Sequence, residues 1–553
     1  MWLGAGAAVP RGVTDIGGEH KGLLGRDDMV AAIDACALKA RLSQPGELAL
    51  IDVREHGQFG EGHLFFAVSL PYSRFELGLP TLVPNPAVDL VLCDGDDGVA
   101  ERAARRAAAL GYRRVRALQG GVAAWRSAGY TLYAGVNVPS KAFGELIEQT
   151  HATPHITAEA LQAMRAADAN CVILDGRPMV EYRKMSIPGG ICCPNGELAL
   201  RVADLVPDPR ATIIVNCAGR TRSIIGAQTL IDLGIPNPVY ALENGTQGWS
   251  LAGLQLERNA VRQHRREVGA DIGFLHARAQ ALAAEHGVPF VAAAEANRWC
   301  SDGARTTYLI DVRTAEEVAE RAVDGFMHAP GGQLIQATDQ WIGVRGARVL
   351  LADDEEVRAP VVAAWLRQLG HEACVLAGGL AAARRLRWPQ PRWPAPPPLA
   401  TISPAAAVTA TRRGGLRIID VRAGTRFRQG HIAEANWSIR PRLAVTPGDA
   451  STPIALVAEE PGIAALAGIE LADLGCAEVC ALDGDEAAWR AAGFHIVKSG
   501  DVPADADMID FLFFTARRHE GDANAARQYL AWETGLVGQL DAQERAAFRI
   551  RSA

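Results

Sequence analysis

Hydrophobic and polar positions along this chain follow a pattern that occurs four times. Each copy opens with a short β-branched apolar run that ends in Asp-x-Arg, and continues with a second apolar run and a segment of helical spacing. Each copy then stops at a Leu-Gly pair, and the distance from the aspartate to that glycine is nearly constant. In the four copies, this span from aspartate to glycine is Asp52 to Gly111, Asp175 to Gly234, Asp311 to Gly370 and Asp420 to Gly475.

The alternation of strand and helix within each copy predicts an α/β domain, with a mainly parallel sheet flanked by helices. Such sheets bind ligands at the carboxyl ends of their strands. The four domains are predicted at residues 22–135, 150–258, 285–388 and 399–500, followed by a helical C-terminal extension at 501–553.

The joints between repeats differ in character. We expect a polar connector at 133–154, a long charged helical bridge at 255–287 and a stiff proline-rich linker at 388–398. In the extension, residues 508–514 are too apolar to be left in water, and 524–540 has helical spacing. We expect the extension to pack on its own chain; the alternative is a homodimer contact.

Composition narrows the class of protein. The chain has 553 residues, 49% of them hydrophobic, which requires several globular domains. A net charge of -7 argues against a general nucleic-acid binder. No apolar run reaches membrane-spanning length, and residues 1–11 lack the basic leader of a signal peptide. Ten cysteines without a CxxC pair favour free thiols in a reducing cytoplasm, with no metal and no cofactor expected.

The candidate chemistry lies in repeat two, where 212–234 reads as strand, polar turn and helix. Cys217 is predicted at the carboxyl end of the strand, directly before a helix start. Unpaired amides and the dipole of that helix, together with Arg220 and Arg222, favour a nucleophilic thiolate and an anion cradle in one turn. A buried core cysteine is the alternative. The glycine and two arginines that follow favour the functional interpretation.

The same loop position in the other repeats provides an internal comparison. Repeats three and four have Ala352 and Ala458 there, so neither has a sulfur. Repeat one has Cys93, but three aspartates occur among the next four residues. Their charges would oppose thiolate formation and repel an anion. We therefore expect Cys93 to be inactive and Cys217 to be the reactive thiol.

Taken together, these motifs resemble the rhodanese family. The resemblance rests on the four Asp-x-Arg strands, the Gly-His turns at His63 and His431, the Gly-containing turns followed by a Trp-bearing helix in three repeats, and the six-residue loop from Cys217 to Arg222. It covers the chain up to about residue 500 and is closest to tandem four-domain bacterial sulfurtransferases. Repeat two departs from the family's turn, because Met185-Ser replaces Gly-His.

The resemblance implies a single catalytic cysteine, Cys217, that takes a sulfane sulfur, becomes a persulfide and passes the sulfur to a thiol, or to cyanide. The donor would be thiosulfate or a related small sulfur anion. Arg220 and Arg222 would attract it, Thr221 would donate a hydroxyl hydrogen bond, and the loop amides would hold the persulfide. The residues expected to bind substrate are Ala218, Gly219, Arg220, Thr221, Arg222 and Ser223. Asp175 and Arg177 are expected to be structural, with Arg177 paired with a carboxylate such as Glu181.

Two other functions stay open. A phosphatase of this fold needs Cys-x5-Arg, and here Arg222 falls one position short, with Ser223 in its place. A non-catalytic scaffold or sulfur relay is the second alternative, with three inactive repeats presenting surfaces. For Cys192 and Cys193, one interpretation is that either could approach Cys217 and resolve its persulfide as a disulfide; we prefer the other, that both pack in the core. The segment 330–341 of repeat three is a candidate cover for the active loop.

Overall fold

The computed structural model describes residues 30–388, 393–446, 449, 451–519 and 521–551. The expectations for residues 1–11, for the start of the first domain at 22–29 and for positions 389–392 of the proline-rich linker lie outside the described residues.

Repeat one is built from short buried strands and the helices between them. Its strands β1–β5 are Ala31–Ile33, Leu48–Asp52, Val68–Ser69, Asp89–Cys93 and Val115–Leu118. Its helices α1–α5 are Ala35–Leu42, His56–Glu61, Phe75–Leu82, Val99–Ala109 and Gly121–Ser127. Helix α6, Val138–His151, follows it.

Repeat two has the same order of elements. Its strands β6–β10 are His155–Ile156, Cys171–Asp175, Ile191–Cys192, Thr212–Asn216 and Val239–Leu242. Its helices α7–α11 are Ala158–Ala166, Met179–Lys184, Leu198–Leu205, Thr221–Asp232 and Gly245–Leu251. Helix α12, Ile272–Glu285, leads to the next repeat.

Repeat three adds one strand to this plan. Its strands β11–β16 are Phe290–Val291, Thr307–Asp311, Met327–His328, Val344–Arg345, Arg348–Ala352 and Glu372–Leu376. Its helices α13–α17 are Ala293–Ser301, Ala315–Glu320, Gly331–Gln336, Arg358–Gln368 and Gly379–Ala383.

Repeat four and the extension complete the chain. Strands β17–β23 are Thr401–Ile402, Arg417–Asp420, His431–Ile432, Ala435–Trp437, Ile454–Val457, Val479–Leu482 and Ile496–Val497. Helices α18–α24 are Pro404–Arg412, Gly424–Gln429, Pro461–Asp473, Glu486–Ala492, Phe513–Ala516, Ala523–Gln539 and Ala542–Ala546.

Each repeat has its own sheet, and the α/β prediction is confirmed. The sheet of repeat two has the order β6-β10-β9-β7-β8, with every neighbouring pair parallel. Its β-branched runs are buried because helices cover both faces. Asp175 at the end of β7 lies opposite Asn216 at the end of β9, and the chain continues directly into Cys217.

The arginine of each Asp-x-Arg has the same contacts in all four repeats. It pairs with the aspartate two residues earlier, and its Nη2 donates to the backbone carbonyl eight residues later, at 2.6–2.8 Å. This contact closes the turn after the first central strand, and it explains why repeats without a sulfur keep the arginine.

Charged contacts and a shared strand join the repeats. β14 of repeat three pairs antiparallel with β2 of repeat one, through Val344 opposite Ala49. Arg358 of repeat three donates to Glu197 of repeat two at 3.0 Å. Tyr72 of repeat one donates to Glu470 of repeat four at 2.7 Å. The repeats therefore contact one another through extensive surfaces and not only through their linkers.

Two joints differ from the sequence-based expectation. The segment 133–154 contains helix α6 (Val138–His151) and is not a plain polar connector, and its residues from Ser140 to Ile147 are buried between α10 and α23. The segment 255–287 is helical only over Ile272–Glu285. Before that helix the chain is irregular, and Gln263 forms an isolated β-bridge with Cys192. Polar residues of the first joint are buried because residues distant in sequence pair with them, Glu533 with Lys141 and Arg220 with Glu145.

The C-terminal extension packs on its own chain, as the sequence favoured. Met508 and Leu512 are buried, and α23 matches the predicted 524–540 closely. Asp522 caps α23 by accepting from the amides of Asn524 and Ala525. The buried face of α23 lies on α6 of the same chain. A homodimer contact through the extension stays a prediction. In the described part of the chain, the helices are too short or too polar to cross a membrane.

Candidate active site

Cys217 follows the end of β9 directly, is separated by three residues from the start of α10 at Thr221, and is 2% exposed. The loop is held from below by the start of α11. The Cys217 carbonyl accepts from the Thr246 amide at 2.8 Å, and the Ala218 carbonyl accepts from the Gln247 side chain at 3.0 Å. Gly245 permits this approach, because a Cβ there would lie 2.3 Å from the Cys217 oxygen.

Two hydroxyls of the loop have different partners. Ser223 donates to the sulfur of Cys217, with Oγ and Sγ 3.1 Å apart. Thr221, which we expected to donate to a substrate, donates instead to Glu533 Oε1 of the C-terminal extension at 2.9 Å. The hydroxyl that reaches the thiol is therefore that of Ser223.

Both loop arginines line the cleft, but each is held in an ion pair. Arg220 donates to Glu145 at 2.7 and 3.0 Å and also to Glu148. Arg222 donates to both oxygens of Glu181 at 2.8 Å. Burial alone would lower the pKa of each guanidinium, but the facing carboxylates raise it above its ordinary value. Both stay charged, and much of each charge is balanced.

Arg177 has a different main partner from the one expected. Its Nε and Nη2 donate to Asp175 at 2.8 and 2.7 Å, and Asn216 also donates to Asp175, at 2.9 Å. Glu181, the partner suggested by the sequence, binds Arg222 instead. Despite burial, the Asp175 carboxylate raises the pKa of Arg177. This pair fixes the ends of β7 and β9 beside the loop.

The cleft above Cys217 has a volume of about 330 Å³, and much of its wall comes from outside repeat two. Helix α6 contributes Lys141, and the extension contributes Tyr529, Trp532 and Glu533. Repeat three contributes three glutamines, so the segment 330–341 forms part of the cleft wall, and its role as a cover for the loop stays a prediction. These glutamines are Gln333, Gln336 and Gln340.

Sequence reasoning missed Lys141, Tyr529 and Glu533. Lys141 Nζ donates to the Tyr529 hydroxyl and, at 3.2 Å, to Glu533 Oε1. Burial would lower the pKa of Lys141, but Glu533 raises it. Glu533 is 1% exposed, and its Oε2 has no hydrogen-bond partner among the described residues. The available signal was a tyrosine and a glutamate four residues apart on an otherwise apolar helix face.

The corresponding loops of repeats one and three are capped from within. In repeat one, the Asp94 carboxylate accepts from the amides of Asp96 and Ala100 at 2.9 and 3.0 Å. In repeat three, Asp353 accepts from the amides of Val357 and Arg358 at 3.1 and 2.9 Å. A side-chain carboxylate thus occupies each of these loops, whereas the corresponding residue of repeat two is Ala218, which has no carboxylate.

Cys93 is fully buried, and burial together with the Asp52 carboxylate raises the pKa of its thiol well above the ordinary value. This direction agrees with the expectation that Cys93 is inactive, with burial as the larger cause and acidic neighbours as the smaller one.

The vicinal cysteines are packed in the core. Burial raises the pKa of Cys192 to about 12 and that of Cys193 well above its ordinary value. Cys192 lies opposite Asp175, which lies opposite Asn216, so two strand spacings separate Cys192 from β9. Two spacings are about 9.6 Å, and a disulfide needs Cα atoms within about 7 Å. This geometry favours core packing over resolution of a persulfide.

Comparison with known proteins adds independent findings. The model of the Rhodanese-like domain family matches residues 34–128, 157–252 and 292–385. A solved structure described as thiosulfate sulfurtransferase from Pseudomonas aeruginosa is 40% identical, with a TM-score of 0.85 over 94% of this chain and 100% of that one. The HTH-type transcriptional regulator Rv0324 of Mycobacterium tuberculosis is 34% identical over 107 residues, or 19% of this chain. The chain spans 46% of the length of that curated relative.

Proposed function

The chain belongs to the rhodanese family, and on that premise we propose that it is a sulfurtransferase that carries a sulfane sulfur as a persulfide on Cys217. Similarity over nearly the whole chain to a protein described as a thiosulfate sulfurtransferase supports this class of reaction. The substrate, the acceptor and the residue roles below are part of the proposal.

The observation that carries the proposal is the contrast between loops. Repeat two combines a thiol with a loop in which Ala218 stands where repeats one and three have an aspartate that accepts from the loop amides. Repeat one has a thiol but fills its loop with Asp94, and repeat three has Asp353 and no thiol. An anion bound to a sulfur of Cys217 would take the place that a carboxylate holds in the other two loops.

In the first step, the Cys217 thiolate attacks the outer sulfur of thiosulfate. A bond forms between the two sulfurs, the bond from the outer sulfur to the sulfonate breaks, and sulfite leaves with that electron pair. The amides from Ala218 to Ser223 hold the persulfide anion. Lys184 is exposed at the rim, has no carboxylate partner among the described residues and offers a charge for the arriving donor.

In the second step, a thiol that has lost its proton to solvent attacks the outer sulfur of the persulfide. The bond to Cys217 Sγ breaks, Cys217 leaves as a thiolate, and the acceptor departs as a persulfide. Cyanide as acceptor would leave as thiocyanate. The charge that returns to Cys217 meets the same Ser223 hydroxyl and loop amides, so one arrangement serves both steps.

Intact-mass measurement tests the proposal. The purified full chain is incubated with thiosulfate and freed of excess reagent, beside Cys217→Ser and Cys93→Ser. We expect one added sulfur atom in the wild type and in Cys93→Ser, and none in Cys217→Ser. Sulfur on Cys93 would contradict the contrast between loops. Absence of loading with thiosulfate, mercaptopyruvate and glutathione persulfide would leave the scaffold function instead.

A further inference from the structure

Two buried acceptor oxygens beside the active loop have no hydrogen-bond donor among the described residues. They are Oε2 of Glu533 and Oε1 of Gln247, and both residues line the cleft. A Cβ placed on Gly219, two residues after Cys217, would lie 3.0 Å from Glu533 Oε2 and 3.4 Å from Gln247 Nε2. The Glu533 oxygen and the amide group of Gln247 therefore both lie beside Gly219, in the wall of the cleft that contains Cys217.

An unpaired buried acceptor is costly, so a ligand that supplies a donor gains binding free energy there. A deprotonated sulfur oxyanion such as thiosulfate has acceptor atoms only, and it would face a carboxylate. A third unpaired acceptor, Gln336 Oε1, is on the wall from repeat three. The cleft of about 330 Å³ is also in the range of pockets for ligands larger than a five-atom ion.

Resting on the proposed sulfur transfer, we propose that Glu533 and Gln247 select thiols and persulfides that carry an N–H donor close to their sulfur. The C-terminal extension would thus set the specificity of repeat two, because Glu533 belongs to α23 and not to the catalytic repeat.

The surroundings favour a neutral amide over an ammonium group. Lys141 Nζ lies 3.2 Å from Glu533 Oε1, and the guanidinium of Arg518 lies 4.3 Å from the centre of the Tyr529 ring. Lys141 therefore already supplies one positive charge to the carboxylate of Glu533. A second cation would be repelled, whereas an amide N–H satisfies the free oxygen without adding charge.

Glu533→Gln reverses the polarity at this point. Lys141 and Thr221 both donate to Oε1, so the amide oxygen of a glutamine keeps that place. Its NH2 group then takes the place of Oε2 and presents a donor where the wild type presents an acceptor. Damage to the loop alone would slow the reaction of every substrate. A reversal of polarity would instead slow the reaction of thiols with an N–H donor and speed the reaction of anions such as thiosulfate.

The experiment uses the full chain loaded with one sulfur on Cys217 and follows its loss by intact mass. The acceptors are N-acetylcysteamine and 2-mercaptoethyl acetate, which differ by an amide N–H in place of an ester oxygen. Cysteamine is the third acceptor, and it separates an ammonium from an amide. Because each thiol is compared with itself between variants, differences in thiol reactivity cancel.

We expect the wild type to prefer the amide over the ester, and Glu533→Gln to lose at least about tenfold of that preference, the ratio that 1.4 kcal/mol represents. Loading of Glu533→Gln by thiosulfate should become faster. Glu544→Gln removes another buried carboxylate of the extension, outside the cleft, and should retain both wild-type values.

An unchanged amide-to-ester ratio in a variant that loads normally would overturn the inference and leave the sulfur transfer intact. A stronger preference for cysteamine would overturn the choice of a neutral amide. If Glu533→Gln does not load, Gln247→Leu removes the second acceptor together with the bond to the Ala218 carbonyl. The amide-to-ester ratio still decides, because a general slowing by the altered loop affects both acceptors and cancels. Absence of loading in the wild type would instead contradict the proposed function.

Discussion

Ser223 Oγ donates a hydrogen bond to Cys217 Sγ at 3.1 Å, across the loop that joins β9 to α10. A hydroxyl in the first turn of the helix is thus directed at the sulfur by the backbone of the helix itself. In the proposed reaction, this contact would stabilise negative charge on the sulfur before sulfur transfer and after it.

Ser223→Ala removes this donor with little change of volume. One hydrogen bond is worth about 1 kcal/mol, so we expect alkylation of Cys217 by iodoacetamide at neutral pH to slow by about fivefold. Mass spectrometry of the Cys217 peptide over time gives the rate. Ser127→Ala, on an exposed hydroxyl of α5, is the control and should not change it. An unchanged rate in Ser223→Ala would mean that the hydroxyl does not stabilise the reacting sulfur.

Glu181→Gln releases the charge of Arg222 into the cleft. The carboxylate now accepts two hydrogen bonds from that guanidinium at 2.8 Å. With it neutralised, we expect the KM for thiosulfate to fall about threefold at low ionic strength, and the effect to shrink in 0.5 M salt, where screening is about 4 Å in range. Glu257→Gln, on a carboxylate that pairs with Arg262, should leave KM unchanged. A KM that rises would show that Glu181 itself binds substrate.

Asp353→Asn should change how stability depends on pH. Burial raises the pKa of Asp353 to about 6 in the folded protein, against an ordinary value of 3.8. Between these values the folded state binds more protons than the unfolded state, so this group's contribution to stability falls as pH rises. From pH 4 to pH 7 the variant should gain up to about 3 kcal/mol relative to the wild type.

Urea unfolding at both pH values measures that gain. The asparagine oxygen can still accept from the loop amides, so the cap itself is retained. Asp483→Asn, on an exposed aspartate, provides the baseline. A difference between variant and wild type that does not change with pH would show that Asp353 is ionised equally in both states.

Leu536→Ala should loosen the wall that the extension contributes to the cleft. Leu536 is fully buried in a cluster with Tyr133 and Val138, so truncation should cost about 2–5 kcal/mol locally. We expect earlier proteolytic cuts in the extension and faster reaction of Cys217 with the bulky reagent DTNB. Gln528→Ala, exposed on the same helix, should behave as the wild type. Unchanged accessibility of Cys217 after release of the extension would exclude it as a wall.

The sequence predicted the parts of the site that are local. Periodicity placed a strand, a turn and a helix around Cys217, and the structure has β9 ending at Asn216 and α10 beginning at Thr221. The comparison of loops also indicated repeat two. Both arguments need only neighbours in sequence, where helix and strand geometry fixes the direction of each residue.

The partners of the loop could not be read from the sequence. Arg220 pairs with Glu145 in a joint that looked like a polar connector, and Thr221 bonds to Glu533, which is 312 positions away. Charged residues on α6 resembled a solvated surface because their partners are distant in sequence: Arg220 of repeat two for Glu145, and Glu533 of the extension for Lys141. The capping role of Asp94 could not be predicted for a similar reason. The sequence shows its charge, but it does not show the two amides that donate hydrogen bonds to it.

The antiparallel pairing of β14 with β2 has a consequence for how the chain is made. Translation delivers Leu48 and Ala49 long before Val344 and Arg345, which complete that edge of the first sheet. Until then, unpaired amides and carbonyls are open to any extended segment nearby. A gene fragment encoding the first repeat alone would carry this exposed edge permanently. The four copies are similar in pattern, but the first sheet is completed by a strand of repeat three. Recombination could therefore not transfer repeat one as an independent unit.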